Sequence, residues 1–203
     1  MTKNIDDENT IFEHAELTKI TGVPTYEALK QIKDECATNA SLVESNLGGG
    51  AHGLSGLVFS ATEYALLSAI PFVRPAAPGP LVLPAGPGVT NFQRELARDA
   101  HKETLRVFHE VTAVEKALIK QVCRAVPELY IKSFRHPRTN VVTTTLSDLL
   151  TRLFTSYGTV TDDELQKANS DLSDRVFDIT LPLIDLYNEV ENLKSLSIAA
   201  ENK

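Results

Sequence analysis

Apolar positions recur at helical spacing through most of this chain and rarely alternate. Residues 1–18 read as a flexible acidic tail, and the segment from Ile20 to Pro24 as an extended lead-in. Thr25 can then cap a helix running to about Ala40. Leu29, Ile32, Cys36 and Ala40 share one face of it, while Lys30, Lys33 and Asp34 fall outside that face. Leu54 to Ile70 is apolar without a clean period. Ala61, Tyr64, Ala65 and Leu67, flanked by Ser60, favour a short buried helix, and Leu57-Val58-Phe59 can begin as strand.

Asn91 to Arg124 predicts the longest helix. Phe92, Leu96, Ala100, Val107, Val111, Val114, Leu118 and Val122 mark one stripe, which His101, Leu105 and Phe108 widen. A straight helix of this length spans roughly 50 Å, against about 40 Å for a compact domain of this size. The helix is therefore expected to break near Thr112 or to cross the whole domain. Pro127 ends it, and one or two further turns follow to Phe134.

Further on, Thr145-x-x-Asp148 resembles a capping box before Leu149, Leu150, Leu153 and Phe154, and Thr161-x-x-Glu164 is a second. Gly158 stands where a left-handed C-terminal cap belongs. Pro182 fits the first turn of a last helix carrying Leu183, Tyr187, Val190 and Leu193. The expectation is an all-α fold of about seven helices, one helical domain over 19–203, with no convincing hairpin and no repeat.

Two stretches interrupt this pattern. Gly48, Gly49, Gly50 and Gly53 demand close or left-handed backbone geometry and read as a tight structural turn. Residues 71–90 form a Pro/Gly-rich, partly polyproline-like loop, with six of the ten prolines between Pro71 and Pro87. A loop of that length is either functional or mobile. Phe72, Val73, Leu81 and Leu83 place apolar side chains on it, making it a candidate assembly interface.

Composition narrows the classes of function. There is no apolar run long enough to span a membrane, and the polar start lacks a signal peptide's apolar core, so the expected location is cytoplasmic. Cys36 and Cys123 form no C-x-x-C and read as buried thiols. The net charge of −7 argues against a dedicated nucleic-acid binder. Charge is uneven, however: residues 91–138 carry ten Lys/Arg and six Asp/Glu, and residues 139–203 five and eleven. Such asymmetry can steer head-to-tail contact between copies.

Candidate chemistry is sparse. The glycine run matches neither the dinucleotide fingerprint nor a P-loop. Ser55 in Gly53-Leu54-Ser55-Gly56 departs from the hydrolase elbow, since Leu57 stands where a second glycine belongs, although His52 is near. His101 and His109 have no partner in a zinc-ligand pattern, so neither metal nor cofactor is expected. Arg94, Arg98, Lys102 and Arg106 form a ridge that Glu95, Asp99 and Glu103 largely neutralise by pairing three residues on. Lys132, Arg135, His136 and Arg138 are less balanced and are the better candidates for an RNA or other anionic partner.

Several segments in order resemble the Gag protein of copia-type retrotransposons, in the divergent form found in algal and protist genomes. They are Asn46 to Gly53 with Gly56-Leu57, Ala61 to Ala65, Pro71 to Pro75 and Pro78-Gly79-Pro80. Glu115 to Gln121, Leu149 to Phe154, Tyr157-Gly158, the Thr161 box and Leu183 to Glu191 complete the series, over roughly 20–195. The resemblance implies a capsid-like helical lobe without enzymatic activity that self-associates into a shell around the element's RNA. Such relatives usually continue into a second lobe and often a Cys/His zinc knuckle, and this sequence contains neither. It also has Val176-Phe177-Asp178 where they often carry Trp-Asp-Pro. A fragment of a longer Gag or a domesticated single lobe is therefore expected. A helical adaptor that binds a peptide in an apolar groove is the alternative.

Overall fold

A computed structural model describes residues 11–174 and 182–201; the acidic positions before Ile11 and the segment Val176 to Asp178 lie outside the described residues. The described residues form seven α-helices and no strand: α1 (Tyr26–Ser41), α2 (Ala61–Leu67), α3 (Asn91–Ala125), α4 (Glu128–Ile131), α5 (Leu146–Tyr157), α6 (Asp162–Ser173) and α7 (Leu183–Glu201). The fold is all-α, as the periodicity predicts.

The core is built where three apolar faces meet. Leu29, Ile32, Cys36 and Ala40 of α1 face Val111, Val114, Leu118 and Val122 of α3 and Leu146, Leu149, Leu150 and Leu153 of α5. Each fully buried Leu or Ile contributes about 1.5–3 kcal/mol. Burial pushes the Cys36 thiol up to about 12, with Glu35 adding to it, so this cysteine is an inert packing residue. Cys123 is half-buried rather than buried.

Local signals start the helices. Thr25 accepts a hydrogen bond from the Ala28 amide, and Ser60, Thr90 and Thr161 make full capping boxes with Glu63, Gln93 and Glu164. At α5 the Thr145 hydroxyl accepts from the Asp148 amide at 3.2 Å and donates to the Asp148 carboxylate at 2.7 Å. Pro182 sits immediately before α7, one residue outside the first turn.

Four expectations are corrected. α3 is continuous through Thr112, and its buried residues begin at Val111; its first half therefore projects from the core, with Phe92 72% and Leu96 60% exposed. The predicted stripe is real, but only its second half is covered. Gly158 has φ −93° and is not a left-handed cap; it is required because a Cβ would stand 2.8 Å from the Phe154 carbonyl oxygen. Leu57 ends a 3₁₀ turn that begins at Ser55, not a strand. In α2 only Tyr64 is buried, and Leu66 and Leu67 face outward.

Residues 11–20, whose first part belongs to the stretch read as tail, lie along α1 and α3. Leu17 is buried, and Ile11, Phe12 and Ile20 pack against the core. The buried Asn39 imitates a neighbouring strand: its Oδ1 accepts the Ala15 amide (3.2 Å) and its Nδ2 donates to the Ala15 carbonyl (2.9 Å) and to Gln121 Oε1 (3.0 Å). Thr18 adds amide and hydroxyl bonds to Glu35, each 2.7 Å. The α6–α7 pair packs mainly against itself and joins α1 through Lys30, whose Nζ reaches Asn192 Oδ1 and Ser195 Oγ at 3.3 Å.

Candidate interaction surfaces

The glycine turn is a packing device. Gly48, Gly49, Gly50 and Gly53 all have positive φ. Gly48 is buried beneath Tyr64, whose hydroxyl donates to the Gly48 carbonyl at 3.1 Å and whose ring occupies the space a Cβ would need. Gly53 is pressed against the Ser41 and Val43 carbonyls at the end of α1. His52 Nε2 donates to the Leu67 carbonyl at 3.0 Å, which fixes its tautomer. The Ser55 hydroxyl is buried without a hydrogen-bond partner. His52 and Ser55 thus make no nucleophile–base pair, and no group of His, Cys, Asp or Glu among the described residues is arranged to hold a metal.

The Pro-rich loop is rooted, then free. At its root Phe72 packs on the Tyr64 ring, with centroids 5.7 Å apart, over the space that Gly56 leaves. Arg74 then reaches the buried Glu115 of α3 with two parallel bonds, Nη1 to Oε1 at 2.8 Å and Nη2 to Oε2. Glu115 Oε1 also accepts the Leu146 amide at 3.2 Å, one of the amides that the first turn of α5 leaves without a helical partner. One carboxylate therefore ties the loop, the long helix and the start of α5 together. Val73, just before Arg74, is 66% exposed; beyond Arg74 the chain has no regular secondary structure to residue 85, with Leu81 41% and Val82 82% exposed and Leu83 half-buried. Of the four residues proposed for an interface, Val73 and Leu81 face outward, and Phe72 belongs to the root.

The basic candidates lie in a tight turn after α4. Lys132 opens a 3₁₀ turn ending at Phe134, and Arg135 pairs as an antiparallel bridge with Val142, the nearest approach to a hairpin in the described chain. Asn140 has φ 57°, and the His136 ring Nδ1 accepts the Arg138 and Thr139 amides at 3.3 Å. Lys132 and Arg138 are exposed, whereas Arg135 is half-buried with its Nε buried and unpartnered, so the three do not present one continuous patch. On the α3 ridge, Asp99–Lys102 (3.3 Å) and Glu103–Arg106 (2.7 Å) pair as the spacing predicts, and Arg106 also bonds Glu110 at 2.8 Å.

A groove of about 610 Å³ lies between α1, α5 and the start of α2. Tyr26, Phe59 and Phe154 line it, together with Lys30, Lys33, Asp34, Glu63, Ser147 and Thr151. Lys33 Nζ sits 5.7 and 5.8 Å from the Phe59 and Phe154 ring centroids and pairs with Glu63. Burial pushes the Glu63 carboxyl up, but Lys33 and the Ser60 amide and hydroxyl together outweigh it and hold it below its ordinary value of 4.5. A lowered carboxyl stabilises the fold fully above pH 4.5, and that contribution is lost as pH falls through the lower folded value. The urea midpoint of the wild type is expected to fall below pH 4.5 more steeply than that of Glu63→Gln; parallel slopes would remove the pair as a source of acid sensitivity.

Sequence reasoning did not single out Arg74, Glu115 or the groove aromatics as a set, since they meet only through tertiary packing. Among the described residues no helix is long and apolar enough to cross a membrane. Comparisons with protein-family models, with curated proteins and with solved structures return no match.

Proposed function

We infer that this chain is a structural, capsid-type protein of the Gag kind. Copies of it self-assemble into a shell around retroelement RNA in the cytoplasm, and it catalyses no reaction. The observation that carries this reading is the uncovered apolar stripe. The same face of α3 that forms the core from Val111 onward continues outward through Ala100, Leu96 and Phe92 with nothing over it.

Many weak copies of one contact suffice for a shell. Lys132 and Arg138 are the exposed cations for RNA, and their contribution would weaken with salt.

Sedimentation and light scattering over a concentration series test the reading. Mass is expected to grow with concentration in the wild type and to stop growing in Phe92→Ser/Leu96→Ser. A wild type that stays monomeric at every concentration overturns it. The aromatic groove favours one other reading, a domesticated adaptor taking a peptide. That reading predicts a monomer with a saturable partner.

A further inference from the structure

We propose that the Pro-rich segment Pro75 to Pro87 of one copy docks into the groove between α1, α5 and α2 of a second copy. The inference rests on the self-assembly reading above and names one of its contacts.

The ligand half is visible in the loop. Between residues 71 and 85 no backbone amide or carbonyl makes a hydrogen bond within the described chain. Five of the thirteen residues from Pro75 to Pro87 are prolines, which fix φ near the polyproline II value and reduce the entropy lost on docking. Fully extended in that form the segment spans about 40 Å. Its surface would be up to about 1650 Å². Burying half of it meets the roughly 800 Å² per partner that a stable contact needs.

The receptor half is the groove. Polyproline segments are recognised by aromatic-lined grooves whose polar groups bond the exposed carbonyls. Tyr26, Phe59 and Phe154 supply the rings, and the Ser147 and Thr151 hydroxyls lie beside them. Charge agrees. The segment carries no ionised side chain from Pro75 to Gln93. The groove's charges are two cations, Lys30 and Lys33, and two anions, Asp34 and Glu63, with Lys33 already paired to Glu63. An uncharged ligand leaves none of them stranded, whereas a charged peptide would add one unmatched charge.

The root of the loop lies next to the receptor. Arg74 is fixed on Glu115, which also holds the Leu146 amide, and Ser147, Leu150, Thr151 and Phe154 of the same helix line the groove. A loop rooted beside its own groove can be exchanged reciprocally between two facing copies.

The test uses full-length chains altered only at exposed positions: Val82→Asp in the loop and Thr151→Arg in the groove, with Leu81→Asp and Thr155→Arg as a second pair. Unchanged helical circular dichroism establishes that each folds. Each variant alone is expected to associate at least about tenfold more weakly than wild type. An equimolar mixture of a loop variant and a groove variant is expected to recover association, because one intact loop then meets one intact groove. If the wild type assembles and the single variants do so equally well, or the mixture recovers nothing, loop docking is overturned while self-assembly stands. A monomeric wild type overturns both.

Discussion

Gly53→Ala is expected to destabilise the protein by about 3–4 kcal/mol through a single added methyl group. Gly53 has φ +52°, a region that costs an L-residue about 1–2 kcal/mol. Its Cβ would also lie 2.5 Å from the carbonyl oxygens of both Ser41 and Val43. Neither is a flexible side-chain tip. Ser41 closes α1, so relief requires moving the end of a core helix or the start of the glycine turn, an overpacking cost of about 1–3 kcal/mol. The disturbance reaches further, because the Leu54 amide bonds the Ala40 carbonyl at 3.0 Å and Leu54 is fully buried next door. For a chain of this size each kcal/mol lowers the melting temperature by roughly 2–4 °C, so a fall of about 10 °C is expected. Gly79→Ala supplies the contrast. No atom lies within 4 Å of its Cβ position and its φ is not positive. Restricting the unfolded chain there is expected to be neutral or stabilising by about 0.4–1 kcal/mol. Equal effects at the two glycines would show that chain entropy, not close packing, sets the cost.

Local chemistry made most of the helices legible. Thr25, Ser60, Thr90 and Thr161 each stand at a helix start, and their partners lie three residues away, within reach of sequence alone. The turn at Gly48 to Gly53 was equally legible, because four glycines in six positions have little other use than positive φ. What periodicity cannot tell is whether an apolar face is covered. Phe92 and Leu96 obey the same spacing as Val114 and Leu118, yet two are open to water and two are buried. Coverage depends on the length of the other helices. α1 and α5, of 16 and 12 residues, are too short to lie along all 35 residues of α3. Gly158 misled for a related reason: a glycine after a helix signals a left-handed cap or a close approach, and here the Phe154 carbonyl made it the second.

The interaction surfaces were legible only in part. The loop announced itself through its prolines. Its anchor did not, because Arg74 and Glu115 are 41 residues apart and no local pattern joins them. Glu115 lies in the apolar half of α3 between Val114 and Ala117, the one position where an acid interrupts the buried stripe. That interruption is the signal sequence reasoning passed over. A carboxylate on a buried face needs a cation or amide donors, and this one has Arg74 and the Leu146 amide.

Removing that anchor is the second large effect, and a double-mutant cycle resolves it. Arg74→Ala leaves the Glu115 carboxylate buried with one backbone amide for company. Breaking a buried ion pair from one side costs about 3–5 kcal/mol. The Arg74 side chain is 42% exposed, so water replaces part of the lost contact, and about 2–3 kcal/mol is expected. Glu115→Met costs a similar amount for a different reason. The guanidinium can turn to solvent, but the Leu146 amide loses its acceptor at a fully buried position, worth about 1–3 kcal/mol. With Glu115 already replaced, Arg74→Ala has no buried charge left to strand. The double variant should therefore be well short of the sum of the two losses, with a coupling of about 1.5–2 kcal/mol. Urea denaturation of the four proteins measures it. Coupling below about 0.5 kcal/mol would mean that the two charges act independently and that Phe72 alone holds the loop root. A strong coupling has a consequence for assembly. Arg74→Ala would then free the Pro-rich segment from α3 and the start of α5, so its ends would be less well placed for a neighbouring groove. Self-association of that variant should weaken even at concentrations and temperatures where its core remains folded, and that separates the anchoring role of Arg74 from its role in stability.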